Sequence, residues 1–342
     1  MPMKYRQLAD TGVFVPELCL GAMTFGGVGQ MWEVIGGLDQ SAVDAIVHRA
    51  LDGGINFIDT ADVYSAGESE MMTGKALAGH RHDVVLATKV RGRMGKGPNQ
   101  VGLSRLHIIE AVDASLKRLA TDYIDLYQIH RFDPLTAVDD TLGALDDLVR
   151  AGKVRYIGCS NLPAWYLMKA LAVSREQRLE RFTCTQSYYS LAGRELEREM
   201  IPLLKDQGLG LLVWSPLAGG FLSGKFTRDA GDDTARRAKF DFPPVDKEKG
   251  FHILDVLTAV ALARGATVPQ IALAWILAND AVTSVIIGAR KIAQLDDNLK
   301  SVEVTLSPDE VKALNEASKL AVEYPAWMDS LGSDRRPGES RY

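Results

Sequence analysis

The sequence predicts an α/β protein in which eight parallel strands, each followed by a helix, close into a (β/α)8 TIM barrel forming a single domain. Three observations predict it. Short runs rich in β-branched residues recur eight times along the 342 residues. Between them lie longer segments whose apolar residues repeat at helical spacing. Ionisable residues fall at the C-terminal ends of several runs, which a barrel would gather at one mouth. An open, doubly wound sheet is the alternative topology.

In order along the chain, Val13 to Gly21 reads as a strand or hairpin arm. Val43, Ile46, Val47, Ala50 and Leu51 form the stripe of a helix lying on a core, stopped by Gly53-Gly54. Ile55 to Thr60 and Val84 to Val90 are the next two strands, and Ile109, Val112, Leu116 and Leu119 make the next helical stripe. Tyr123 to His130 follows as a strand, then a helix through Leu142, Leu145, Leu148 and Val149 that ends at Gly152. Val154 to Ser160 is a strand, Trp165 to Val173 a helix, and Phe182 to Ser187 and Leu209 to Trp214 are strands. Phe251 to Arg264 and Pro269 to Leu277 read as helical before the last strand, Val282 to Ile287. These strands are apolar on both faces, as strands covered by helices should be.

Lys291 to Asn298 reads as helical, and one more helix starts at Ser307, whose hydroxyl with Pro308 and Glu310 makes a capping box. The barrel is therefore placed at residues 1–320, with an N-terminal hairpin and two helices after strand eight. Residues 321–342 form a tail that either crosses the active face or is disordered. Phe25 to Asp39, Arg91 to Ser104 and Leu217 to Lys249 read as long loops at strand C-terminal ends.

Composition narrows the function. A formal charge of −5 and a pI of about 5.8 give no support for a nucleic-acid partner. No apolar stretch is long enough to span a membrane, and the N-terminus lacks the apolar core of a signal peptide, so the cytoplasm is the expected location. Cys19, Cys159 and Cys184 are widely spaced and read as reduced core residues rather than a disulfide framework or a metal site. His48, His80, His82, His107 and His252 show no metal spacing and are expected at the surface. The sequence leaves the oligomeric state open.

Four residues carry the chemistry. Asp59, Lys89 and His130 end consecutive predicted strands, and Tyr64 lies just beyond the first of them. A phenol ordinarily titrates at about 10. A neighbouring ammonium, Lys89, is expected to pull that value toward working pH, and Asp59 supplies its counterion. His130 can donate a hydrogen bond to a carbonyl oxygen and hold it near Tyr64. A proton donor beside an oxyanion site is what carbonyl reduction needs, with hydride from a cofactor.

The wording around these residues resembles the aldo-keto reductases. The matching segments are Gly54-Ile55-Asn56-Phe57-Ile58-Asp59-Thr60-Ala61-Asp62-Val63-Tyr64, Val85-Leu86-Ala87-Thr88-Lys89 and Tyr123-Ile124-Asp125-Leu126-Tyr127-Gln128-Ile129-His130. Further on, Gly158-Cys159-Ser160-Asn161 and Trp214-Ser215-Pro216-Leu217-Ala218-Gly219-Gly220 match as well. The resemblance spans residues 3 to 320. It implies the tetrad Asp59, Tyr64, Lys89 and His130, with Tyr64 as acid.

The resemblance also implies a nicotinamide site without a Rossmann fold. Ser160, Asn161 and Gln186 would hold the carboxamide, and Trp214 would stack on the ring. Ser215, Pro216, Leu217, Gly219 and Lys225 would follow the pyrophosphate. Gly288, Arg290, Gln294, Asp297 and Asn298 would hold the adenosine end, with Arg290 on the 2′-phosphate of NADPH. Many relatives have a Lys-Ser pair where this chain has Gly288-Ala289, so the margin of NADPH over NAD(H) stays open. Met23, Trp32, Arg91 and Trp327 are candidate pocket walls for a small carbonyl or alcohol substrate. Two other readings remain at this point: a cofactor-binding regulatory barrel resembling ion-channel subunits, and a hydrolase using Asp59 and Glu68.

Overall fold

The computed structural model describes residues 3–226, 228, 237 and 240–328. Ten strands lie within them: β1 (Tyr5–Gln7), β2 (Phe14–Pro16), β3 (Leu18–Gly21), β4 (Phe57–Asp59), β5 (Val85–Val90), β6 (Ile124–Ile129), β7 (Val154–Ser160), β8 (Phe182–Tyr188), β9 (Gly210–Trp214) and β10 (Val282–Ile287). Strands β3 to β10 are parallel and closed: β10 pairs with both β9 and β3. That closure establishes the (β/α)8 barrel and excludes the open sheet.

The first predicted strand is two. Phe14–Pro16 pairs antiparallel with Tyr5–Gln7, whereas Leu18–Gly21 enters the barrel. The hairpin closes the N-terminal end: Leu8 and Val15 are buried against Cys19, Phe57, Ala87, Leu126, Cys184 and Leu212. Those residues form an apolar layer inside the barrel. Because side chains alternate along a strand, the next inward positions up each strand are Asp59, Lys89, Gln128, Gln186 and Trp214. The fold thus lays a polar tier on an apolar floor. The outward faces of the strands pack under the helices in a separate, larger cluster.

The helices are α1 (Gln30–Ile35), α2 (Gln40–Asp52), α3 (Glu68–Ala76), α4 (Arg105–Leu119), α5 (Val138–Arg150), α6 (Ala164–Gln177), α7 (Met200–Gln207), α8 (Lys247–Arg264), α9 (Val268–Leu277), α10 (Ile292–Leu299) and α11 (Pro308–Ala317). In α2 the expected Val43, Ile46, Val47 and Ala50 are buried, and Asp39 caps the N-terminus by accepting from the Ala42 amide. In α11 the Ser307–Glu310 capping box is present.

Four expectations need correction. Helix α4 is rotated: Ile109 is 37% exposed, and the buried face is Ile108, Ala111, Val112, Ser115 and Leu119. Small residues fill part of that face, so the large apolar residues alone misplace it. Second, the segment from Phe25 to Asp39 is not all loop, because it holds α1. This helix is bounded by Gly29 and Gly36, and its C-terminal carbonyls are capped from far away: Arg290 Nη2 donates to Val34, Ile35 and Gly36. Third, the Leu217 to Lys249 segment opens with 3-10 turns over Ala218–Ser223; its residues 227, 229–236 and 238–239 lie outside the described residues. Fourth, His107 is buried rather than at the surface. The tail reading applies partly to residues 329–342, which also lie outside the described residues. The three cysteines are buried and free. No single described helix is long and apolar enough to cross a membrane.

Candidate active site

Asp59 ends β4 and is 2% exposed, while Lys89, near the end of β5, is fully buried. Lys89 Nζ donates to Asp59 Oδ2 at 2.5 Å, to the Thr60 carbonyl at 2.8 Å and to Tyr64 Oη at 3.3 Å. The other carboxylate oxygen accepts from Gln128 Nε2 at 2.9 Å and Gln186 Nε2 at 2.8 Å. A buried carboxylate with three donors is held rigidly, because leaving any of them unpaired would cost the full desolvation of that group.

Tyr64 opens a 3-10 turn, Tyr64–Gly67, immediately past β4. Ser65 and Ala66 sit at φ 49° and 55°, in the left-handed region that side chains avoid. The turn is pinned by Ser65 Oγ donating to Phe25 O and by Ser69 Oγ donating to Ala22 O. The strain therefore serves to place the phenol. Since Tyr64 Oη accepts from Lys89, its own hydrogen is free to point elsewhere. The His130 ring meets the Tyr64 ring edge-on, with centroids 5.7 Å apart, and Trp32 from α1 lies 5.5 Å from Tyr64 on another side.

The ionisation of these groups follows from burial and neighbours. Burial raises the Tyr64 phenol and the nearby Lys89 ammonium pulls it down, with burial winning, so the value ends above that of ordinary tyrosine. The neighbouring ammonium alone predicts the opposite balance. Burial works against the Lys89 charge, but Asp59 and Tyr64 outweigh it and Lys89 is raised. His130 is lowered to about 3 by burial, then by the positive charges of Lys89, Arg131 and Arg91. At neutral pH the tyrosine is thus a neutral acid, the lysine a cation and the histidine a neutral ring with one N–H to donate.

The nicotinamide candidates occupy the next four strand ends, β7 to β10. Ser160 Oγ donates to Gln186 O, and Asn161, at φ 54°, donates from Nδ2 to His130 O and Ser160 Oγ. Trp214 Nε1 donates to Asn161 Oδ1 at 3.0 Å, while its ring stacks on Phe242 at 5.8 Å and 11°. With Gln186 Nε2 donating to Asp59 and to Gln128 Oε1, the side chain of Gln186 has only its oxygen left to offer a carboxamide. Ser215 Oγ accepts from the Gly219 amide. At Gly219 a Cβ would come within 2.2 Å of Phe242 O, at φ 65°, so the turn past Pro216 and Leu217 requires glycine. Lys225 is exposed beyond it.

After β10, Gly288 has open space around it. The Arg290 amide donates to Gln294 Oε1, and its Nη2 is committed to α1. Both bidentate edges of a guanidinium include Nη2, so the two-pronged phosphate contact expected from sequence needs those bonds to break; Nε or Nη1 could each offer one. Asp297 accepts from Thr267 and Gln270, and Asn298 is buried. Of the candidate walls, Trp32 adjoins Tyr64, Met23 and Arg91 lie at the mouth of β3 and β5, and the Trp327 ring pairs with Tyr324. Sequence reasoning missed Gln128 as a partner of Asp59. Its inward register two residues before His130 was the available signal.

Residues 17–319 match the model of the aldo/keto reductase family. The chain belongs to that family. Three relatives indicate its range. An uncharacterized oxidoreductase, YrpG, of Bacillus subtilis (strain 168) is 40% identical, the alignment covering 92% of this chain and 95% of the relative. Versiconal hemiacetal acetate reductase of Aspergillus parasiticus is 36% identical over 92% and 96%. A probable voltage-gated potassium channel subunit beta of Arabidopsis thaliana is 35% identical over 88% and 92%. Membership in the aldo/keto reductases supports an oxidoreductase acting on carbonyl groups with a nicotinamide cofactor.

Proposed function

We propose that the protein is an NADP(H)-dependent reductase of aldehydes or ketones, reversible as an alcohol dehydrogenase, with NAD(H) as a weaker possibility. The observation that carries this is the buried Asp59–Lys89 pair placing its ammonium 3.3 Å from Tyr64 Oη. A substrate carbonyl oxygen between Tyr64 and His130 would receive two hydrogen bonds, one from each. As charge develops on that oxygen, Tyr64 gives up its proton, and the Lys89 hydrogen bond, now to a phenolate, strengthens. The neutral His130 N–H contributes without adding a competing acid.

The residues of the β7 to β10 arc fit a dinucleotide: an open glycine, an obligate-glycine turn, a half-exposed indole and an arginine before a helix N-terminus lie in sequence around the mouth. Ser160, Asn161, Gln186 and Trp214 would hold the nicotinamide, Ser215, Pro216, Leu217, Gly219 and Lys225 the pyrophosphate, and Gly288, Arg290, Gln294, Asp297 and Asn298 the adenosine. When bound, the nicotinamide supplies the hydride that no side chain can. Free, buried cysteines and the absence of a membrane-length helix among the described residues fit a cytoplasmic setting.

A regulatory role, which the name of the Arabidopsis relative brings to mind, would not need the complete tetrad. The test is a screen of cofactor oxidation across aldehydes and ketones with NADPH and with NADH, repeated in reverse with alcohols. Sustained turnover with at least one carbonyl, faster with NADPH, is expected. Cofactor binding without turnover across the panel would favour the regulatory reading.

A further inference from the structure

Two arginines stand beside the tetrad without an ion pair among the described residues. Arg91 is the first residue past β5 and Arg131 directly follows His130 at the tip of β6. The two strands are parallel neighbours, with Val90 opposite Ile129, and the His130 amide donates to Val90 O at 2.9 Å. Both arginines therefore leave the barrel at the mouth that holds Tyr64 and His130.

Among the described residues neither arginine forms an ion pair, and the carboxylate nearest in effect, Asp133, is already engaged. Arg91 Nε donates to Phe132 O at 3.2 Å, which lays the guanidinium along the segment containing Arg131, and its two Nη groups have no partner among the described residues. Arg131 is exposed, with no hydrogen bond or ion pair among the described residues. The two repel one another, and both push against protonation of His130. Asp133 is the carboxylate that acts on Arg91, but it already accepts from the Leu103 and Leu135 amides and the Thr136 hydroxyl. In the same loop, Arg93 and Lys96 add positive charge and bring no carboxylate.

Arg91 is also held in a costly backbone conformation, φ 127°, secured by the Gly102 amide donating to its carbonyl. Strain of this kind persists where surrounding structure fixes a side chain for a purpose. Next to Arg131, Phe132 packs edge-on against Trp165 and Tyr166, and Trp165 is 62% exposed. The mouth thus offers two cations beside an exposed aromatic surface, in a protein whose net charge is −5.

We propose that the carbonyl substrate carries an anionic group, a carboxylate or a phosphate, which Arg91 and Arg131 bind while Tyr64 and His130 take the carbonyl oxygen. The proposal rests on the reductase reading above and narrows its substrate class. Guanidinium pairs suit both anions, because each presents oxygens at the spacing of the fork.

The test uses one aldehyde with different charges: 4-formylbenzoate, its neutral methyl ester and 4-formylphenyl phosphate, each assayed with NADPH. The wild type should favour at least one anion over the ester by about tenfold or more in kcat/KM, as charge-assisted hydrogen bonds imply. The better of the two anions identifies the group. The preference should shrink with added salt and fall toward one in the Arg91→Met, Arg131→Met double variant, with Arg131→Lys retaining part of it. Equal use of ester and anions by the wild type, or a preference that survives in the double variant, would overturn the proposal. Should no aldehyde be turned over, the reductase reading fails by itself. The anion site is then read by tryptophan quenching with terephthalate against terephthalamide, where selectivity for the dianion lost in the double variant supports it and no selectivity refutes it.

Discussion

On the β4 to β6 side of the mouth, the polar groups bond to one another across strands. Lys89, Asp59, Tyr64 and Gln128 form one connected network, and Asp59 and Lys89 are 2% and 0% exposed. On the β7 to β10 side, Gln186 reaches into that network and Trp214 Nε1 donates to Asn161 Oδ1, but the other polar groups bond to backbone or to helices: Ser160 to Gln186 O, Ser215 to Gly219 N, Arg290 to the end of α1, and Asp297 to the cap of α9. Lys225, Gly288 and Gln294 are exposed. Under the proposed function, the first side is already arranged for its chemistry, whereas residues on the second, Arg290 first among them, would have to exchange partners to hold a cofactor. Changes on the first side should therefore alter stability and rate, and changes on the second should alter affinity.

The largest expected effect is at Asp59. Asp59→Asn leaves the buried Lys89 ammonium without its anion, and breaking one side of such a pair costs about 3–5 kcal/mol. Denaturant midpoints of wild type and variant would measure it. A loss under about 1 kcal/mol, the range of exposed pairs, would erase the contrast between the two sides. Next, Lys89→Met removes the one cause holding the Tyr64 phenol down against burial. Reduction should slow by about 100-fold or more, with cofactor affinity nearly unchanged, as loss of assisted acid catalysis implies. Steady-state rates paired with fluorescence titration of the cofactor separate the two.

On the other side, Arg290→Ala should weaken NADPH by about tenfold, the worth of one hydrogen bond to a charged group, and NADH much less. Equal losses for both cofactors would mean that Arg290 acts only by capping α1. The smallest effect near neutral pH concerns His130. His130 is held near 3 in the fold, below the ordinary histidine value of about 6.5, so the unfolded chain takes up a proton first as pH falls. Stability should accordingly decline from about pH 6.5 downward, little at first, and His130→Asn should flatten that slope. Identical slopes in melting temperature would place His130 in water rather than among the strand tips.

The same contrast governs what could be read from sequence. The convergence of Asp59, Tyr64, Lys89 and His130 on one mouth was legible because strand alternation is rigid: Asp59 follows Phe57, and Lys89 follows Ala87, on one inward row. Gln128 obeys that rule too, but a glutamine in an apolar run carries no chemical label of its own. Helix α1 escaped notice because its cap comes from Arg290, 254 residues away from Gly36. Helix α3 escaped because its buried face is Ser69, Glu70, Thr73 and Gly74, which hides the apolar period. The direction of the Tyr64 shift depended on the depth of burial, which local sequence does not encode.

The central claim, that a prearranged Tyr64 supplies the proton, is tested most directly by Tyr64→Phe. Removing one oxygen leaves the ring against Trp32 and His130, so the fold and NADPH affinity should persist while the rate of carbonyl reduction falls by about 100-fold or more. Reduction at a near wild-type rate by a folded, cofactor-binding Tyr64→Phe protein would contradict the account.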